Sequence, residues 1–445
     1  MVYRALERKP EEVLQAAAQG EEFFSEAEVL SLFTPEQQAI ILERKKILSS
    51  LGYFIGKNFE MPIELGIPTK QCLSGWRQGL KKAGEKKFLQ MNAHDLLNKP
   101  MDHLRFLTCH EGGHERISRP EDIPLEEWKQ PGFAFMMNAI EDPRDDNFVA
   151  EAYPKFREQM GLAYQQDLDF EGKAKEKASQ KLGYQPRFMQ AGFEYIKQWF
   201  KEAQGQEMEM SVDLPEEVKA VVQATIEHAR DSWWRYPSRE EADKSEELIK
   251  KYAQVSYEIN RDEIWPEFKK LIEADMEDQK TQELLRDMQK GQQGQEDGES
   301  GPGLPQELKD KLTPEEQKAL EEAVKKAIED AKKDREEKTK QKAGGKSEDK
   351  GKETEGSPSD QEGAPESEAS DMSTGKPVDL GSLPEGLKQK IKEYIDSLPE
   401  DQQREMTEKA QAAVKEFEEA LNEEMQGKLS DNPEKKAERE EISAE

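Results

Sequence analysis

The stretch Cys109-His110-Glu111-Gly112-Gly113-His114 sets two of the chain's five histidines four residues apart, with a glutamate directly after the first. On a helix those positions are one turn apart and about 40° apart around the axis, so both imidazoles face the same way. They form a pincer for one ion, with nitrogen–metal distances of about 2.0–2.1 Å if that ion is zinc. Glu111 projects about 100° round from His110, which keeps it off the ion but within reach of a water bound there. The chemistry predicted is hydrolysis: zinc brings the pKa of its water toward about 7, and Glu111, as general base, takes the proton as the water attacks a carbonyl.

A third ligand is expected from the run Asn138-Ala139-Ile140-Glu141-Asp142-Pro143-Arg144-Asp145. Asn138, Glu141 and Asp145 recur at helical spacing among Met136, Met137, Ala139 and Ile140, and carboxylates in such surroundings need a partner, which a divalent cation supplies. Glu141 is the expected ligand. Asp145, one turn further on, is expected to orient a histidine through its other ring nitrogen. Pro143 predicts either a kink or a fresh helix start capped by Asp142.

The elements that must position these residues are legible in outline. Lys86–Asn92 alternates as a strand closed by Asn92, the segment from Phe59 to Pro68 reads as a short strand or extended run, and a helix is predicted over Met101–Ile117, stopped before Pro120. A second helical stretch covers 132–153. Residues 10–50 read as helices with a Thr34 cap, and 184–288 as helical with aromatic-rich turns at 195–200 and 231–237. Leu104, Phe106, Leu107 and Cys109 make the histidine segment a largely internal one, against the competing reading of an exposed His–Glu turn. Gly112 and Gly113 each cost about 1 kcal/mol in a helix interior, a cost that close packing or a bound metal offsets.

His110-Glu111-Gly112-Gly113-His114, with Glu141 following after 26 residues and Asp145 four beyond it, resembles the gluzincin arrangement of zinc metallopeptidases. The strand, Asn92 and helix run-up from Lys86 is similar to theirs. The Asn138–Arg144 version with a long acidic tail is similar to metallopeptidase-like proteins associated with von Willebrand A domains and related to the cobalt-chelatase T subunit. The resemblance covers residues 86–148. It implies a zincin-like α+β fold, mainly helical with a small sheet, a zinc ion held by His110, His114 and Glu141, Glu111 as base, and Asp145 as supporting residue. It also implies a distal oxyanion stabiliser, for which His228 and Tyr236 are the candidates, and a partner of the MoxR-type AAA+ ATPase or A-domain kind, docked through the acidic tail. No sequence in the chain reads as an A domain.

Composition confines this chemistry to the first part of the chain. The protein has 445 residues, 36% of them charged, with a formal net charge of −30. Of 33 aromatic residues 31 precede residue 281, and from Thr281 onward 44 acidic side chains face 27 basic ones. The expected organisation is a metallopeptidase-like domain over 1–285, a flexible linker over 286–303, an amphipathic helical segment over 304–342, a disordered low-complexity linker over 343–381, and an amphipathic helical tail over 382–445. The two amphipathic segments echo one another weakly, and their apolar stripes are left to pair with each other or with a partner. Such a negative charge excludes direct binding to nucleic acid or anionic membranes. Two cysteines, no signal-peptide pattern and no long apolar run predict a soluble, cytoplasmic protein acting on a peptide or protein substrate.

Other reactive side chains read more simply. Cys109 is expected to be core packing, His103 an ordinary partly exposed histidine and His94 a capping or surface residue. Against the metallopeptidase stand two alternatives: a non-catalytic scaffold that keeps the same fold, and a structural interaction protein whose histidines bind nothing.

Overall fold

The computed structural model describes residues 8–19, 21, 23–69, 76–80, 87–167, 170–296, 305–344 and 376–427. A helix over Pro35–Gly56 starts where Thr34 accepts the Gln37 N–H and the Gln37 side chain returns the bond, with Pro35 at the first position. Three short strands follow: β1 (Ile63–Gly66), β2 (Arg77–Leu80) and β3 (Lys87–Asn92). They form a sheet in the order β1-β3-β2, with β1 parallel to β3 and β2 antiparallel to it. Ile63 stands opposite Leu89 and Gly66 opposite Asn92. Asn92 both ends β3 and caps the next helix, Ala93–Asn98, by accepting the His94 and Asp95 N–H groups.

The histidine helix, Met101–Ile117, has the predicted bounds. Leu104, Phe106, Leu107, Cys109 and Ile117 are buried, and so are His103, His110 and Glu111. His103 therefore departs from the partly exposed histidine expected. Both glycines have a packing reason. A Cβ on Gly112 would stand 3.0 Å from Ile55 Cβ, so that glycine lets the Pro35–Gly56 helix close in. A Cβ on Gly113 would stand 2.3 Å from Asp145 Oδ1, so the second glycine admits the other neighbour.

That neighbour, here called the aspartate helix, runs over Phe133–Ala152. Pro143 lies inside it, so the fresh start capped by Asp142 does not occur. An interior proline removes a hydrogen bond and costs about 3 kcal/mol, so the helix persists because it is buried on nearly all sides. Phe133, Phe135, Met136, Ile140, Phe148 and Val149 are all in the core. Asn147 fastens it to its surroundings, donating to the Trp233 carbonyl (3.0 Å) and accepting from Trp199 Nε1 (2.9 Å). Those tryptophans belong to the helices Arg187–Ala203 and Glu216–Trp233. A further helix, Glu246–Ile259, passes through a π-helical turn at Asn260–Ile264 into Trp265–Glu296.

The chain divides into two compact units. The first comprises Met1–Ala174, Arg187–Ala274 and Val414–Glu445, the second Lys175–Pro186 and Asp275–Ala413. Composition alone gave no sign that the chain returns to the first unit near its end. Within the second unit, the helices Gln306–Lys311 and Pro314–Gly344 meet the helix Glu385–Asp396. Lys390 pairs with Glu316 at 2.6 Å, and the Lys311 ammonium lies 5.8 Å from the Tyr394 ring centre. Leu308, Leu320, Val324, Leu387, Ile391 and Ile395 are buried in this unit.

Their sequence echo has a local cause. Gln317 Nε2 donates to the Lys309 and Leu312 carbonyls, and Gln403 Nε2 to those of Asp396 and Leu398. Gln38 does the same with Leu30 and Phe33. In each case a glutamine three or four residues after a proline ties the new helix to carbonyls at and just beyond the end of the preceding one.

The helix Trp265–Glu296 occupies the first part of the linker expected over 286–303. The rest of that linker, residues 345–375 of the low-complexity segment and residues 428–445 of the tail lie outside the described residues. Among the described residues no helix is long and apolar enough to cross a membrane.

Candidate metal centre

His110 and His114 project from the histidine helix toward the aspartate helix, with their rings nearly perpendicular and their centres 4.6 Å apart. Their Nε2 atoms lie 3.2 Å from one another. His110 Nδ1 is 3.0 Å from Asp146 Oδ1 and 3.7 Å from Asp145 Oδ2. With Asp146 as acceptor Nδ1 carries a hydrogen, and Nε2 is the nitrogen turned toward His114. His114 is fixed by a relay. Ser118 Oγ donates to Glu141 Oε1 at 2.5 Å, so it accepts from His114 Nδ1, 3.1 Å away. His114 Nε2 lies 3.2 Å from His110 Nε2 and 3.3 Å from Asp142 Oδ1.

A 3.2 Å spacing of two imidazole nitrogens is accounted for by a shared proton or by a shared cation. Nitrogens bound to one tetrahedral zinc at about 2.0–2.1 Å stand about 3.3–3.4 Å apart, close to the spacing found. A third group completes the set: one ligand atom from each of His110, His114 and Asp145 lies within 4.8 Å of the others. Asp145 is wholly buried, and neither of its oxygens has a hydrogen-bond partner. An orphaned carboxylate beside two imidazoles is a set of donors that fits a divalent cation once the imidazoles are deprotonated. Burial pushes Asp145 well above the usual carboxylate range; the charge of Asp146 adds to this and that of His110 opposes it. Burial alone would lower His110, but the charge and hydrogen bond of Asp146 carry it up to about 9. Asp142 Oδ1 is 3.3 Å from His114 Nε2, giving the second imidazole a carboxylate neighbour as well.

Asp145, rather than the expected Glu141, falls in the group with both imidazoles. Arg144, fully buried, holds Glu141 through Nε (2.8 Å) and a terminal nitrogen, and also donates to the carbonyls of Ile117 and Arg235. Burial opposes ionisation of Glu141, yet Arg144 and Ser118 keep its carboxyl below the ordinary range. Glu141 therefore supports His114 from behind, through Ser118, while Asp145 sits with both imidazoles. The hydrogen bond expected of Asp145 is made by Asp146 instead.

Glu111 is buried next to the pair, and burial raises its pKa against the pull of both histidines. It lines a cavity of about 190 Å³ together with His110, His114 and Glu141. The opposite wall comes from Ile123 and Trp128, and from Gln254 and Tyr257 on the Glu246–Ile259 helix. The Tyr257 hydroxyl donates to Glu127 at 2.6 Å.

Neither oxyanion candidate lines this cavity. His228 is 44% exposed and 3.9 Å from Glu263, on the surface. Tyr236 is buried, but its hydroxyl donates to Glu151 (2.9 Å) and its ring packs on Phe148. Packing of the two tryptophan-bearing helices against the aspartate helix turns both away. Cys109 is core as expected, its thiol pushed up to about 12 by burial and by the charges of Asp145 and Asp146.

Sequence reasoning missed Ser118, Asp146, Trp128 and Tyr257. Asp146 adjoins a residue already singled out, and Ser118 stands four residues after His114 at the helix end, the spacing at which a hydroxyl meets an imidazole one turn back. Trp128 and Tyr257 carried no local signal. Comparison with protein-family models, with curated proteins and with solved structures gives no match to this chain.

Proposed function

We propose that this chain is a zinc-dependent metallopeptidase of zincin-like fold, hydrolysing peptide bonds in the cavity between the histidine helix and the Glu246–Ile259 helix. The observation that supports the reading is the pair of Nε2 atoms 3.2 Å apart, with the buried Asp145 carboxylate in the same group and without a hydrogen-bond partner. His110 and His114 would hold the ion, with Asp145 the nearest buried carboxylate to complete the set. When bound, a divalent cation supplies Lewis acidity and makes water a stronger acid near neutral pH. The chain's own part is to orient and to move a proton. Asp146 and the Ser118–Glu141–Arg144 relay fix the two rings. Glu111, its pKa raised by burial, would accept a proton from attacking water and return it to the leaving amine. The apolar wall of Ile123, Trp128 and Met137 favours an uncharged side chain beside the scissile bond.

The test is elemental analysis of the full chain after exposure to zinc, paired with Glu111→Gln on a quenched-fluorescence peptide library. The expected result is one zinc per chain in both proteins and a loss of at least about 100-fold in turnover for the variant. Equal turnover in the two proteins, or no stoichiometric metal in either, would sink the proposal.

A second reading has one observation in its favour. Asp142 Oδ1 lies 3.3 Å from His114 Nε2, so protein donors alone could close the coordination sphere, which is the mark of a structural rather than a catalytic ion. The chain would then be a scaffold whose melting temperature depends on metal while Glu111→Gln changes nothing. Under either reading the acidic tail is proposed to dock a MoxR-type ATPase or an A-domain protein, as the resemblance implies.

A further inference from the structure

The aspartate helix begins without a cap of its own. Its first flanking residue, Gly132, has no side chain to offer and sits at φ +80°. The missing acceptor arrives from the far end of the sequence. Gly132 N–H donates to Glu418 Oε2 (2.5 Å) and Phe135 N–H to Glu418 Oε1 (3.0 Å). Glu418 is 1% exposed, and it lies on the helix Glu400–Gly427, whose residues from Val414 onward belong to the first unit. Val414, Phe417 and Leu421 are buried beside it. One turn earlier, Lys415 donates to the Trp128 carbonyl at 3.1 Å. Trp128 is the cavity's aromatic wall, and its ring packs edge-on against Phe133, the first residue of the aspartate helix.

We propose that residues 414–421 act as a latch on the candidate metal centre: Glu418 holds the start of the helix that carries the acidic residues, Lys415 holds the cavity wall, and release of this segment opens the cavity. A carboxylate at a helix N-terminus is favoured by the free N–H groups and the helix dipole, so the contact is specific. It is also separable. The hydrogen bonds to the two N–H groups and to the Trp128 carbonyl come from side chains of a segment whose Glu418 lies 286 positions along the chain from Gly132. The proposal rests on the cavity being the working site but not on which ion occupies it.

The experiment uses the full chain with Glu418→Gln, Glu418→Asp and Lys415→Ala, after treatment with a chelator. Two readouts are followed: hydrogen exchange of the segment 125–137, and the rate at which diethyl pyrocarbonate modifies His110 and His114, resolved by peptide mass spectrometry. Losing one charged cap corresponds to roughly a tenfold shift in local opening. Glu418→Gln and Lys415→Ala are therefore expected to speed both exchange and histidine modification by roughly tenfold, with Glu418→Asp giving partial rescue and urea midpoints staying close to that of the parent. Faster exchange with unchanged histidine modification would make Glu418 a structural cap only and overturn the latch. Unchanged exchange would overturn it as well. Neither readout needs bound zinc, so failure of the latch and failure of the metallopeptidase reading are separate results.

Discussion

Replacing Gly113 by alanine probes how closely the aspartate helix must approach for the centre to form. The added Cβ would stand 2.3 Å from Asp145 Oδ1, 2.5 Å from Oδ2 and 2.6 Å from Val149 Cγ2. Asp145 is wholly buried on a helix packed on nearly every side, so its carboxylate has nowhere to swing and the two helices must part. Alanine is favoured over glycine in a helix by about 1 kcal/mol, and overpacking a tight core costs about 1–3 kcal/mol. Three contacts this short put the cost at the upper end, for a net loss of about 1–2 kcal/mol. Gly112→Ala is the control. Its Cβ would meet Ile55 at 3.0 and 3.1 Å, a strain that a small shift relieves, so gain and cost should cancel to within about 1 kcal/mol. Urea unfolding in chelator reads the stability of each variant, and zinc titration reads the site. Gly113→Ala should also lose at least about tenfold in zinc affinity because Asp145 is displaced, while Gly112→Ala keeps it. A Gly113→Ala protein as stable as the parent and binding zinc equally well would refute the reasoning.

Two other predictions concern the groups around the imidazoles. Ser118→Ala cuts the relay between His114 and Glu141, and isothermal titration should show zinc affinity down by about 10- to 100-fold, with Ser118→Thr retaining more of it. Cys109 should resist alkylation at pH 8 in the native protein and react once unfolded, as followed by mass spectrometry of its peptide. Its folded pKa of about 12 lies above the ordinary value of 9.0, so the unfolded state loses the proton first. The stability this contributes is fully present below about pH 9 and is lost as pH rises toward 12; a Cys109→Ala variant should show a flatter fall over that window.

Much of the candidate site was readable because it depends on local periodicity. The four-residue spacing of His110 and His114 becomes a pincer on any helix, and Pro120 and Asn92 punctuate the elements before and after it. Cys109 follows the same rule, since a small apolar residue on the inward side of such a helix is packed. The division of labour among Glu141, Asp142, Asp145 and Asp146 was not readable. Four carboxylates within six residues point in several directions, and a shift of one helix along or around another changes which of them meets the imidazoles.

The sequence by itself determined the helices, the facing of the two histidines, the short strand run-up and the concentration of 31 of 33 aromatic residues in the first 280 positions. Tertiary structure alone decided the rest. Gly112 and Gly113 fix how close two neighbours come, Arg144 claims Glu141 and leaves Asp145 to the histidines, and Trp128, Tyr257 and Glu418 arrive from distant segments. The physical reason is range: backbone hydrogen bonds and side-chain periodicity act over a few residues, whereas the partner of a buried charge is set by which surfaces pack together.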